Sequence, residues 1–222
     1  MRAPIWKLSI VPFAVAAVIA GFVVVNRSPS DVRTVRLGTV RPDGQPVAED
    51  SDGGHEIILA SGCGTERWPV KTGADADRNK VSTAVVGANV TYLGSRPMPA
   101  RYPTNNRIAP YELHTYQVTG YITQYKLEAD SDIHLVLKDA ANHSMIAEIP
   151  APGCVSTASR WRTAIASTRN AWTTHYRTTT TWHYIHRSVT VRGLAFFDVP
   201  HGQTGKAPNA IELHPVIYLR FN

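Results

Sequence analysis

The stretch that decides the fold is YQVTGYITQYKLE, residues 116–128. It alternates, and it is rich in β-branched and aromatic side chains, so it reads as a strand. ADSD (129–132) is a turn, and IHLVLKD (133–139) is a second strand. NH (142–143) turns the chain again, and SMIAEIP (144–150) is a third strand stopped by Pro150. CVSTASRWRTAIASTRNAW (154–172) contains no proline and no glycine and predicts a helix, with Ser156 or Thr157 as its cap. SVTVRGLAFFDV (188–199) is a fourth strand and, after PHGQTGKAPN, AIELHPVIYLRF (210–221) is a fifth. Three strands, a helix and two strands are the chain order of a small five-stranded OB-like Greek-key barrel (β-β-β-α-β-β). The expected fold class is therefore mainly β, with an open sandwich as the competing arrangement. Gly120 and Gly193 fall inside strands that such a barrel must bend, and Pro215 suits a bulge or an edge.

Upstream the signal weakens. Residues 61–110 carry ERWPVKTGADAD, a strand-like VSTAVVGANVTYL (81–93) and the proline-rich SRPMPARYPTNNRIAP (95–110). They are expected to form a loop-rich extension packed on a body at 111–222, with Trp68 as an anchor. Residues 27–60 are rich in Pro, Gly, Asp and Ser and read as a flexible linker. Residues 1–26 contain LSIVPFAVAAVIAGFVVV, Leu8 to Val25, with no charge and with Arg2 and Lys7 ahead of it. That predicts an N-terminal transmembrane helix with its start in the cytoplasm. The rival is a cleaved signal peptide with Val18 and Ala20 at the cleavage site, and Arg27, Arg33 and Arg36 weaken the orientation argument. Either reading gives the same expected localisation for the body, the periplasm or extracytoplasmic space; the anchor adds a single-pass attachment to the cell membrane.

The composition excludes a disordered polyelectrolyte: 43% of residues are hydrophobic and 18% charged. Two cysteines without CxxC spacing give no zinc or thioredoxin-type motif. In an oxidising compartment Cys63 and Cys154 are expected to form one bridge, closing a loop of about 90 residues and stabilising by roughly 4 kcal/mol.

ERWPVKTGADAD, DSDIHLVLKD, MIAEIPAPGC and HGQTGKAPNAIELHPV together resemble a group of exported bacterial proteins of uncharacterised role. The resemblance spans residues 62–222 and implies export, but no activity and no catalytic residue. The stretch from Ser159 to His186 has no counterpart in that pattern.

Three constellations could carry chemistry. Asp130, Asp132 and His134 share one face of an extended segment, and Glu148 on the next strand could join them around a metal ion. Glu212 and His214 share a strand face, with His201 in the loop before them, as an acid–base pair or metal site. Turn chemistry and cross-strand hydrogen bonding are the favoured account of both sets. The third is Val155–Phe197, which has no Asp or Glu. It holds Arg160, Arg162, Arg169, Arg177, Arg187 and Arg192 among Trp161, Trp172, His175, Tyr176, Trp182, His183, Tyr184 and His186. Arg and Trp are enriched at binding hot spots, so this segment is the expected partner-binding surface, although some of its tryptophans must be core.

No nucleophile elbow, phosphate loop, HExxH or dinucleotide fingerprint is present. The expectation is therefore a non-catalytic binding or scaffolding module without a small-molecule cofactor, an accessory subunit of a larger membrane protein complex. A nucleic-acid- or polyanion-binding role is the second reading. It rests on fold analogy, and IHLVL and SMIAEI carry none of the stacking aromatics it needs. A metal-dependent hydrolase or nuclease using Asp130, Asp132, His134 and Glu148 is the third.

Overall fold

A computed structural model describes residues 62–222. The expected anchor at 1–26 and the linker at 27–60 lie outside the described residues. Among the described residues no helix is long and apolar enough to cross a membrane.

The body is mainly β. Its strands are β1 (Val85–Ala88), β2 (Thr115–Leu127), β3 (Ile133–Lys138), β4 (Ser144–Ile149), β5 (His183–Phe197) and β6 (Ile211–Phe221). Two short helices, α1 (Trp68–Lys71) and α2 (Val90–Gly94), lie in the extension, and α3 (Arg162–Thr173) lies between β4 and β5. They form a six-stranded mixed sheet in the order β1-β2-β3-β4-β6-β5, with an additional β2–β5 pairing. The ladder thus returns to β2. All contacts within that circuit are antiparallel except β4–β6, a short parallel join at Ile146↔Glu212 and Ala147↔Leu213.

Alternation sets the two faces. Ile133, Leu135 and Leu137 of β3 and Met145, Ala147 and Ile149 of β4 enter one apolar core with Ile211 and Leu213 of β6. Trp172 of α3 joins that core at 0% exposure, among Tyr125, Tyr176 and Phe221. The glycines permit close approach: a Cβ on Gly120 would collide with the Lys138 carbonyl, and one on Gly193 would sit 2.8 Å from the Leu213 Cβ. Register slips flank Pro215, where Gly193 faces Val216 while Arg192 faces Tyr218 and Ala195 faces Leu213. Two extra residues on β6 bend it there.

Three elements differ from the sequence-based expectation. VSTAVVGANVTYL is not one strand. β1 takes four residues of it, and Asn89 then caps α2 by accepting from the Tyr92 amide at 2.6 Å. α3 begins at Arg162 rather than near Cys154, with neither Ser156 nor Thr157 as its cap. A 3-10 turn at Pro152–Cys154 and side-chain bonds of Ser156 and Ser159 to nearby amides hold the preceding chain. β5 begins at His183, five residues earlier than expected, because the threonine run is tied down: Thr179 accepts the Leu127 amide and its hydroxyl meets His183.

The extension is held by covalent and ionic ties. Cys63 and Cys154 are disulfide-bonded, with Cα atoms 5.6 Å apart. Trp68 donates to the Cys154 carbonyl at 3.1 Å. Arg67 and Glu112, both buried, form a two-pronged pair at 2.8 Å, and Arg107 pairs with buried Asp75 at 2.8 Å.

Candidate functional site

The outer face of β3, β4 and β6 is covered by the chain itself. Strand alternation turns His134 and Val136, Ile146 and Glu148, and Glu212 and His214 away from the core, yet all are buried. The loop 198–210 lies over them: Gly205 abuts Val136, and the Thr204 carbonyl is 3.0 Å from His134 Nε2. Trp182 closes the side, edge-on to His134 and 4.8 Å from the Lys126 ammonium.

Glu148 sits at the centre of the charges beneath this roof. Its Oε1 is 2.9 Å from His134 Nδ1, and its Oε2 is 3.0 Å from His214 Nδ1. Glu128 Oε1 also reaches His134 Nδ1 at 3.2 Å, while Glu128 Oε2 pairs with Lys126 at 3.1 Å. Asp132 Oδ2 meets His214 Nε2 at 3.1 Å, and Glu212 Oε2 is 3.9 Å from His214 Nδ1. A carbonyl or an ionised carboxylate only accepts, so Nε2 carries hydrogen in both imidazoles. Each Nδ1 is then left facing Glu148.

The electrostatics follow from that packing. Burial pushes His134 down, but the carboxylates of Glu128 and Glu148 outweigh it and hold the imidazole up at about 10. His214 likewise goes well above the ordinary range against its burial, through Asp132, Glu148 and Glu212. Burial would raise Glu148, but the two imidazoles hold it well below the usual carboxylate range. Glu212 is raised to about 8 by burial, with Asp198 and Glu148 adding to the rise. Without a metal the site is a network of imidazolium–carboxylate pairs, with Glu212 protonated at neutral pH.

Of the residues singled out from sequence, Asp132, His134, Glu148, Glu212 and His214 enter this network, which joins two sets that the sequence left separate. Asp130 does not: its Oδ1 caps the Asp132 amide at 3.0 Å, and it belongs to neither of the two sets of mutually close ligand atoms. Those sets are Glu128–His134–Glu148 and Asp132–Glu148–His214. His201 is outside both, with Nδ1 against the Val199 carbonyl at 2.9 Å. Glu128 and Lys126 were not anticipated. Their signal was the charged pair Lys126 and Glu128 closing a strand that carries no other charge.

The arginine- and aromatic-rich segment divides three ways. Trp172 is core, which is a correction to its place on a binding surface. Trp161, Arg169, Tyr176, Trp182 and His183 are half-buried. Trp161 packs over Gly73, Arg169 donates to the Ile149 carbonyl at 2.7 Å, and His183 stacks on Tyr125. Arg160, Arg162, His175, Arg177, Tyr184, His186 and Arg187 are exposed. Arg160 and Arg162 lie at the start of α3 and His175 just past its end, about 18 Å apart for a 12-residue helix.

The exposed residues at the far end continue onto the outer surface of β2, β5 and β6. Tyr184 is 74% exposed, and Tyr121 and Tyr218 are each 37% exposed. His186 stacks on Tyr121 at 4.4 Å and Arg192 lies over Tyr218 on this face, whereas Arg187, opposite Ile122, has the inner parity and lies over Phe221 at the edge of the core. β2 and β5 contain no Asp or Glu, and β6 has none after Glu212. The result is a basic and aromatic face without a carboxylate in its strands. No protein-family model matches this chain, and no curated protein matches it.

Proposed function

We propose that this chain is a non-catalytic binding module of the cell envelope, anchored by a single N-terminal span, with its body in the periplasm or extracytoplasmic space. It serves as an accessory subunit that docks on an acidic surface of a larger membrane protein complex. The carrying observation is the outer face of β2, β5 and β6, where exposed tyrosines and arginines adjoin with no acid in those strands. Such a composition suits interface hot spots and attracts an acidic surface during encounter. The disulfide agrees with an oxidising compartment.

The finer fold in this reading is an OB-like barrel. The pairing circuit β2-β3-β4-β6-β5-β2, the parallel β4–β6 join and the helix between β4 and β5 support it. OB folds bind oligonucleotides on the face of their second and third strands. Here that face is β3 and β4, and the loop 198–210 and a buried charge network occupy it. The covering weighs against nucleic acid there, and equally against a hydrolase substrate reaching Glu148.

Extraction of the full chain in mild detergent, followed by mass spectrometry of what co-purifies, tests the docking. The expected result is a defined membrane complex with the wild type. Its recovery should fall at least tenfold with Tyr184→Ala plus Arg220→Glu, both exposed positions of that face that leave the core intact. A wild-type chain recovered as a lone monomer would overturn the reading.

A further inference from the structure

We propose that the outer edge of β1 takes an extended, acidic peptide segment of a partner as an added strand. β1 is the end strand of the sheet and pairs only with β2, in parallel, from Val85↔Thr115 to Ala88↔Val118. The register decides which of its backbone groups are open. The Ala195 amide donates to the His114 carbonyl, so His114, Tyr116 and Val118 turn their backbone groups toward β5. Thr115 and Gln117 therefore turn theirs toward β1, where a parallel ladder gives them Ala84, Val86 and Ala88 as partners. The N–H and C=O groups of Val85 and Gly87 point the other way, and no other described residue bonds them. Edge strands are commonly blunted by a charge, a proline or a bulge that refuses a further strand. The sequence VVGA has none of these, and Val85 and Val86 are 43% and 39% exposed.

A groove of about 510 Å³ lies beside the edge, lined by Gly87, Ala88, Asn89, Tyr92, Gln117 and Thr119. A Cβ at Gly87 would meet nothing, so another backbone can come close there. The exposed ring of Tyr92 offers an apolar wall to side chains on one face of the added strand. Cations stand behind two of the lining residues. The Arg96 guanidinium lies 4.1 Å over the Tyr92 ring, and Arg192 donates to Gln117 at 2.7 Å. Asp139, which reaches α2 through Thr91, has both oxygens committed: Oδ2 accepts from the Thr91 hydroxyl, and Oδ1 accepts from the amides of Ala141 and His143. The same sign holds farther out. Among the described residues no Asp or Glu is exposed, whereas Lys80, Arg101, Arg160 and Arg220 are. A second copy of the chain would bring like charge to this edge, and an acidic segment brings the complement. Pairing here needs neither the membrane anchor nor the docking proposed above.

The probe is a dye-labelled octapeptide of alternating valine and glutamate, a pattern that favours an extended chain. It is titrated into the full chain in mild detergent and read by fluorescence anisotropy. The expected results are saturable binding and slower amide hydrogen exchange over residues 84–89. The matching peptide of alternating valine and lysine should bind at least tenfold more weakly. Gly87→Pro removes an outward N–H and leaves the ladder to β2 intact, so it should fold with an unchanged unfolding midpoint and lose at least tenfold in affinity. Arg96→Gln should weaken the acidic peptide and not the basic one. Tyr184→Ala plus Arg220→Glu, which disrupts the other docking face, should bind the acidic peptide as the wild type does. A wild-type chain that binds neither peptide, or binds both alike, would overturn the proposal. So would a Gly87→Pro chain that binds as tightly as the wild type, or a dimer of the free chain that Gly87→Pro dissociates.

Discussion

Glu112 shows how heavily single residues are committed in this molecule. Fully buried, it accepts from both terminal nitrogens of Arg67 and from the amides of Ile108 and Phe197, at 2.7–2.8 Å. Glu112→Ala strands the Arg67 guanidinium in a dry environment, so it should cost about 3–5 kcal/mol in urea unfolding. Titration is legible at the same scale in the metal-free chain. His134 is raised from 6.5 to about 10 and Glu212 from 4.5 to about 8, so the folded state holds more protons than the unfolded one between those values. Their stabilisation is complete below the unfolded values and is lost as pH rises through the folded ones. Glu148, depressed, has the opposite sign and withdraws its support as pH falls below 4.5. Stability should peak near pH 4.5 and decline from there to about pH 10; denaturant midpoints across that range check it, and His134→Gln should flatten the decline above pH 6.5.

Elements carry a different part of the load. α3 places Trp172 at the foot of the sheet, where it meets Tyr125 at 5.0 Å and Tyr176 at 4.7 Å. Trp172→Ala should therefore cost about 3–5 kcal/mol, whereas Arg162→Ala, exposed one helical face away, should stay within about 0.5 kcal/mol. Gly120→Val should destabilise by about 1–3 kcal/mol, since its side chain would press on the Lys138 carbonyl of β3. β3 and β4 were readable because turns bracket two short, largely apolar runs that are buried on both faces. β1 and α2 were not: Asn89 acts as a helix cap in the middle of a run whose composition favours strand. The site was half legible for a related reason. His134 and Glu148 face each other across adjacent strands, as alternation suggests, but Asp132 and His214 are 82 residues apart and meet only through the β4–β6 join. The place of Trp172 in the core was equally hidden, since it shares its composition with the exposed Tyr184 and Arg187.

At the scale of the whole molecule the disulfide joins positions 91 apart and thereby ties the extension to the loop before α3. Removing it as Cys63→Ser with Cys154→Ser should cost about 4 kcal/mol through the freed unfolded chain, read as a lower unfolding midpoint; an unchanged midpoint would mean that the buried pairs Arg67–Glu112 and Arg107–Asp75 hold the extension unaided. The bridge also has a mechanical consequence. Tension arriving from the residues before 62 crosses at Cys63 directly to Cys154, so the extension and strands β2 to β4, which lie between those cysteines in the chain, are shunted out of the force path. A pull on one end and a grip on Tyr184 or Arg187 would then load only α3, the threonine run and the start of β5. A load entering at Cys63 would thus pass through the bridge while most of the sheet remains slack.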